Sequence, residues 1–274
     1  MALAISVIVT TYNRPDALAA TLRGLASQKD RQFEVIIADD GSTGETADFI
    51  RETQKTFPVP LHHVWHADQG FRAAAITNRA LTESTGDYIV LMDGDCIPRP
   101  CFISWHRELA EEGWMVGGNR LLLSEEFTKR ILEEELPVHL WKRNQWIMPR
   151  IRGWTNRMLP MLFSLPDGAW RRKRPKDWRS LRTFSMAVHR EALLKVNGLD
   201  EAFTGWGYQD SDLIIRLMHA GVRVKSGRHA SPVLHLWHPE LSRDDAAKNL
   251  SELDQVLNSH RIRARQGLMD HQKA

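Results

Sequence analysis

In Tyr88-Ile89-Val90-Leu91-Met92-Asp93-Gly94-Asp95, five apolar or aromatic residues run straight into two carboxylates parted by one glycine. The run is short, partly β-branched and preceded by the turn signal Thr85-Gly86-Asp87, so it reads as a buried strand. In an open α/β sheet, ligands bind beyond the carboxyl ends of the strands. Asp93 and Asp95 therefore stand where a ligand stands, and Gly94 permits the bend that turns both toward one point. A hard divalent cation bridging to a diphosphate suits such a pair, because Mg²⁺ takes one or two carboxylates together with substrate phosphate oxygens. The plainer reading is an Asp-Gly-Asp turn that only closes a strand.

Working outward, the same βα rhythm repeats on the N-terminal side. Ile5–Thr10 reads as a strand and Tyr12-Asn13-Arg14-Pro15 as a turn, with Asp16 as the expected N-cap. Leu18, Leu22 and Leu25 then fall on one helical face, ending before Lys29. Phe33–Ala38 is a second strand running into acids, Asp39-Asp40-Gly41-Ser42. A helix over Glu45–Thr56, a strand over Leu61–Trp65 and a helix over Ala73–Glu83 lead back to the Asp93 strand. On the C-terminal side, a strand is expected near Trp114–Gly118 and a helix over Glu125–Glu135. Further strands follow at Thr183–Val188, Val222–Val224 and Val233–Leu236, a helix at Asp210–His219 and a polar helix beyond Arg243. This alternation predicts an α/β fold, a mostly parallel Rossmann-like sheet flanked by helices.

The 274 residues suffice for one large α/β domain. We read residues 1–118 as a first half, 119–182 as a basic insertion, 183–242 as a second half, and 243–274 as a C-terminal helix and tail. The two cysteines, Cys96 and Cys101, suggest no disulfide framework. The N-terminus shows no signal-peptide pattern and no uncharged run reaches transmembrane length, which leads us to expect a cytoplasmic protein with at most peripheral membrane contact.

The net charge of +3 conceals an asymmetry. His139–Arg182 holds twelve Lys or Arg against Asp167 and Asp177, about +10, leaving about −7 elsewhere. Five of the ten tryptophans lie in the same segment. Tryptophan favours membrane interfaces and clustered basic residues favour anionic surfaces, so 139–182 is expected to meet an anionic membrane or phosphorylated glycolipid. The alternative is that these tryptophans pack on the core. Nucleic acid is not expected, since no recognised nucleic-acid fold accompanies the segment.

Five short motifs in order carry a family resemblance: Val7-Ile8-Val9-Thr10-Thr11-Tyr12-Asn13-Arg14, Asp39-Asp40-Gly41-Ser42, Gly70-Phe71-Arg72 with Asn78-Arg79, Asp93-Gly94-Asp95, and Gly205-Trp206-Gly207-Tyr208-Gln209-Asp210-Ser211-Asp212. The chain resembles an inverting family 2 glycosyltransferase of the GT-A fold, with a galactosyltransferase-type acceptor motif in the last stretch. The resemblance implies a nucleotide-sugar donor, a UDP-sugar first of all, bound by the half 1–118, and a glycan or glycolipid acceptor met by the acceptor and catalytic half 183–242. It places Thr10, Tyr12 and Arg14 around the donor base and ribose, with Asp40 or Asp39 accepting from a uracil N–H. Arg72, and more weakly Asn78, would serve the diphosphate. Asp93 and Asp95 would hold Mn²⁺ or Mg²⁺. The family often adds a histidine; strand alternation puts His235 and His238 on different faces, so both need not reach the metal, and His238 at the strand end is favoured. Asp210 takes the role of general base, at a helix N-terminus that favours a carboxylate anion. Gln209 stands where the motif usually has glutamate. Gln209 and Asp212 are expected at the acceptor, and Trp206 is placed to stack on a sugar. A retaining transferase of the same fold, or a glycan- or membrane-binding module without turnover, are the competing readings.

Overall fold

The computed structural model describes residues 3–205, 207–230, 232–239 and 246–271. Its first half is a βα succession: β1 Ile5–Thr11, α1 Pro15–Ala26, β2 Phe33–Asp39, α2 Gly44–Gln54, β3 Leu61–Trp65, α3 Ala73–Glu83 and β4 Tyr88–Asp93. Short β5 (Cys96–Ile97), α4 (Phe102–Leu109), β6 (Trp114–Gly117), β7 (Arg120–Leu122) and α5 (Glu125–Glu133) follow. After them come the short helices α6 (Ile147–Ile151) and α7 (Leu159–Leu162), then β8 (Ser185–His189) and α8 (Arg190–Lys195). The chain ends with α9 (Gln209–His219), β9 (Arg223–Ser226), β10 (Val233–His235), α10 (Ala246–Leu257) and α11 (Leu268–His271).

Seven strands form the main sheet in the order β3-β2-β1-β4-β8-β6-β9. β3, β2, β1 and β4 are mutually parallel, β8 runs antiparallel between β4 and β6, and β9 is parallel to β6. The chain leaves β1 for β2 on one side and returns to β4 on the other, which makes the carboxyl end of β1 a topological switch point. The register puts Thr11 opposite Asp39 and Thr10 opposite Asp93 at that edge. The mostly parallel α/β sheet expected from the sequence is the one found.

Alternation within β1 explains the layering. Val7 and Val9 pack on one face with Leu18, Leu22 and Leu25 of α1 and Phe102 of α4; Ile8 packs on the other with Ile76 and Leu81 of α3 and Leu213 and Leu217 of α9. Strands buried on both faces need the near-continuous apolar runs that β1, β2 and β4 have. Helix α1 starts one residue before the expected cap: Pro15 is its first residue, preset in φ for that position, and Asp16 sits inside the first turn.

A smaller sheet, β5-β10-β7, seats the 119–182 segment. Leu121, Phe127, Ile131, Trp146, Trp154 and Leu234 form a third core there. Phe127 and Trp154 stack with ring centroids 4.9 Å apart, and Trp141 packs against Trp146 at 5.4 Å. Trp141, Trp146 and Trp154 thus pack on this core, as in the alternative reading, while Trp170 and Trp178 are half-buried. Arg130 and Arg152 lie over the Trp154 ring.

Candidate active site

β4 ends on Asp93, and Gly94 then lets the chain press against β1: its N–H donates to the Thr10 carbonyl at 2.8 Å, and a Cβ at this position would lie 2.7 Å from that oxygen. Glycine is required here for close approach rather than for an unusual φ. The next carboxylate, Asp95, lies beside two histidines, with His238 Nε2 at 3.3 Å and His235 Nε2 at 3.8 Å. One ligand atom from each of the three lies within 4.8 Å of the others. Strand alternation predicted separate faces for these histidines, but β10 stops at His235. The Trp237 N–H leaves the ladder to donate to the Thr128 hydroxyl, at 2.8 Å, and the turn brings His238 back to Asp95.

Helix α9 delivers the third carboxylate. The chain enters it through Tyr208 in the left-handed region, φ 66°, a conformation uncommon outside glycine. Asp210 occupies the first turn, and its Oδ2 accepts from the Thr183 N–H at 3.2 Å. Burial first, then the charges of Asp95 and Asp210, push the Asp93 carboxyl up to about 8, with Arg120 opposing them. Asp93 and Asp95 thus share one point, and the charge of Asp210 reaches Asp93, with Arg120 against them. That excess of negative charge, with oxygen donors and imidazole at hand, fits a divalent cation. Cys96 also borders the point, and burial followed by the neighbouring aspartates pushes its thiol pKa up.

The other lobe of the site lies past β1 and β2. Tyr12 donates its hydroxyl to Asp68 Oδ2 at 3.0 Å. Asp40 accepts from the Arg72 N–H at 2.9 Å and lies 2.7 Å from His66 Nε2; burial is the main cause that raises its pKa. Tyr12 and Trp65 present half-exposed rings on either side of this turn, Trp65 donating to the Ser42 carbonyl at 3.2 Å. Thr10 closes the floor between the lobes, its hydroxyl 3.5 Å from the Met92 carbonyl. The Arg72 side chain, at the start of α3, makes no ion pair among the described residues.

Several expected site residues serve the scaffold instead. Asp39 is fully buried, accepting from the Ser42 N–H at 2.8 Å and lying 3.0 Å from His63 Nε2, so it braces the turn and has no face for a base. Arg14 folds back on Asp16 at 2.9 Å. Asn78 is buried, its amide donating to the Leu199 carbonyl and its oxygen accepting from the Leu199 N–H, both at 2.9 Å. It clamps α3 to the loop before α9, and its amide is spent there. Asp212 is buried too, taking Arg216 Nε at 2.7 Å and Arg261 Nη2 at 2.8 Å, so no acceptor hydroxyl reaches it. Trp206 lies outside the described residues. Gln209 keeps a buried Oε1 with no hydrogen-bond partner among them. The sequence reading missed Asp68, His66, Trp65 and Arg120. A signal for Asp68 existed: the third strand, like the second, runs within a few residues into an acid, His66-Ala67-Asp68.

Residues 6–177, well over half of the chain, match the family model described as glycosyl transferase family 2. The chain belongs to that family. Residues 171–239 of this family 2 chain match the N-terminal domain of galactosyltransferase, and they contain α9 and Asp210. Among curated relatives, it is 25% identical to the chondroitin synthase of Escherichia coli over 240 residues, covering 81% of this chain and 33% of that one. It is 29% identical to the hyaluronan synthase of Pasteurella multocida over 232 residues, 79% of this chain and 23% of that one. The chain thus spans a third or less of these two synthases. A mannosyltransferase from Pyrobaculum calidifontis, solved in complex with GDP-Man and Mn²⁺, superposes with a TM-score of 0.61 at 18% identity, over 94% of this chain and 65% of that one. S. aureus TarS 1–349 in complex with UDP-GlcNAc gives 0.57 at 13% identity, over 98% of this chain and 69% of that one. These likenesses establish the GT-A fold.

Proposed function

We propose that this chain transfers a sugar from a nucleotide-diphosphate donor to a hydroxyl of a glycan or glycolipid acceptor, with inversion. The observation that carries the reading is the cluster of Asp95 with His235 and His238, and of Asp93 with Asp95, at the switch point of the sheet, with the charge of Asp210 acting on Asp93. Asp95 and one or both histidines would hold the cation, with Asp93 beside them. Nitrogen donors favour Mn²⁺ over Mg²⁺, whose sites are built of oxygen. Bound there, the ion supplies Lewis-acid stabilisation to the leaving diphosphate.

The chain's own residues do the rest. The rings of Tyr12 and Trp65 flank the place for the base, with Asp40 and Asp68 as acceptors beside it. Arg72 offers an uncommitted guanidinium to the diphosphate. Asp210, held by the Thr183 N–H, takes the proton of the acceptor hydroxyl as that oxygen bonds to the anomeric carbon and the bond to the diphosphate oxygen breaks. The names of the relatives, chondroitin and hyaluronan synthases, support a polysaccharide or surface-glycan product. TarS with UDP-GlcNAc supports a UDP donor, although the GDP-Man complex keeps GDP in the comparison. No helix among the described residues is long and apolar enough to cross a membrane, and we place the enzyme at the cytoplasmic side of one.

Calorimetric titration of UDP, GDP and dTDP, each with and without Mn²⁺, tests the donor half on wild type and Asp95→Ala. Metal-dependent binding of one nucleotide, lost in the variant, is expected. Binding of none would overturn the reading. The anomeric configuration of the product, read by NMR, separates inversion from retention.

A further inference from the structure

At the far end of α1 from Tyr12 lies a second concavity of about 280 Å³. The twelve residues of α1 rise about 18 Å, so this cavity is a helix length away from the donor lobe. Lys29, Arg99, Arg143 and the buried His139 line it, and no aspartate or glutamate does. Arg99 is the unusual member. Its Nη2 donates to the Trp141 carbonyl at 3.1 Å, its Nε is buried without a partner, and no carboxylate pairs with it among the described residues. A half-buried guanidinium facing two more cations and no acid is an arrangement that an anion relieves.

The rim of the cavity is apolar. Leu140 is 55% exposed and Phe163 40%, both as lining residues. Outside the lining itself, helices α6 and α7, which both contact the 143–146 turn, carry Ile151 at 71% and Leu159 at 62% exposure. Turning Trp141, Trp146 and Trp154 inward thus leaves aliphatic side chains and arginines outside. A soluble phosphate compound would use the cations and leave this rim in water. An amphiphile whose phosphate ends in hydrocarbon would use both.

We infer that the Lys29–Arg99–Arg143 cavity binds the phosphate headgroup of an anionic phospholipid, with Leu140, Phe163, Ile151 and Leu159 seated at the acyl boundary. The site is distinct from the carboxylate centre and does not depend on the proposed transfer reaction. It replaces a diffuse basic segment with a defined pocket.

The test is co-sedimentation with vesicles of phosphatidylcholine alone and of phosphatidylcholine mixed equally with phosphatidylglycerol, alongside calorimetry with glycerol 3-phosphate. Wild type is expected to bind the mixed vesicles only. Paired Lys29→Glu and Arg143→Glu, both at exposed positions, should weaken this about tenfold or more, since each basic residue at an anionic surface contributes about fivefold. Paired Lys173→Glu and Arg174→Glu, exposed in the same basic segment but outside the cavity, should bind nearly as wild type. Ile151→Ser with Leu159→Ser should weaken vesicle binding with every charge intact. Asp95→Ala should bind vesicles as wild type, so a failure of the transferase reading leaves this result standing. Equal losses in the two charge-reversed pairs would reduce the site to diffuse attraction and overturn the proposal. So would glycerol 3-phosphate binding without vesicle binding, or no binding of either.

Discussion

Asp210 bears the sharpest expectation. Asparagine at this position keeps the size of the side chain and the oxygen that takes the Thr183 N–H, while losing the capacity to accept a proton. Asp210→Asn is expected to lower kcat by about 10²- to 10⁴-fold while Mn²⁺-dependent nucleotide affinity stays within about twofold of wild type. If Asp210 only started its helix, kcat would hardly move. What the sequence disclosed at this scale was local: Asp93, Gly94 and Asp95 are neighbours, and their pattern states their role. His235 and His238 were only half legible, because the reach of both depends on where β10 stops, and Thr128, more than a hundred residues earlier, decides that. Arg120 was illegible for the same reason, since packing from another element brings it to the site, whereas Asp68 left a trace as an acid soon after the third strand.

The elements show how motif residues divide between chemistry and support. In α9, Asp210 faces the site and Asp212, two residues on, points into the protein, where Arg216, Arg261 and the neighbouring Asp200 form a buried charge network. Burial raises the Asp212 pKa, and the two arginines oppose that. Removing one partner leaves buried guanidinium groups uncompensated. Asp212→Ala is therefore expected to cost about 3–5 kcal/mol of stability, read as a lowered denaturant midpoint. The surviving folded fraction should keep its acceptor KM; a raised KM would return Asp212 to the acceptor site. The motif was visible in the sequence, but the direction of each acid was not, because helical spacing sends residues two apart to different faces. The tryptophans of 139–182 teach the same point: composition located the segment, and only the core formed with Phe127 and Ile131 shows which way its rings face.

For the whole molecule, pH is the simplest probe. His106 is buried against Phe102, and burial pushes its pKa down to about 4. Burial, and then Arg23, hold His139 down to about 4 as well. In the unfolded chain both return to about 6.5. The folded state keeps them neutral, so below pH 6.5 the unfolded state binds more protons and stability falls as pH falls. Their contribution is whole above about 6.5 and is lost progressively toward about 4, at about 1.4 kcal/mol per pH unit for each. Thermal unfolding between pH 7 and pH 4.5 should contain this slope, and His106→Phe should remove its share. Asp93, held up near 8, pulls the profile the other way over the same range, so the share is read as the difference between wild type and His106→Phe, and equal slopes in the two would show that His106 is not neutral by burial. The parallel βα half was readable from alternating periods and short loops. The place of β8 was not, for its own residues say strand without saying between which neighbours.

That placement governs the order in which the molecule can be assembled. β8 holds β4 on one side and β6 on the other, with Tyr88 paired to His189 and Val116 to Ala187. A ribosome has released both flanking strands long before it releases the one that joins them. Until residues 185–189 emerge, β4 and β6 each present an open row of backbone donors and acceptors, the kind of edge on which chains aggregate. The middle of the sheet is joined only then, with β9 still to follow at the edge, and the long excursion through 119–182 is the interval during which the nascent chain must wait.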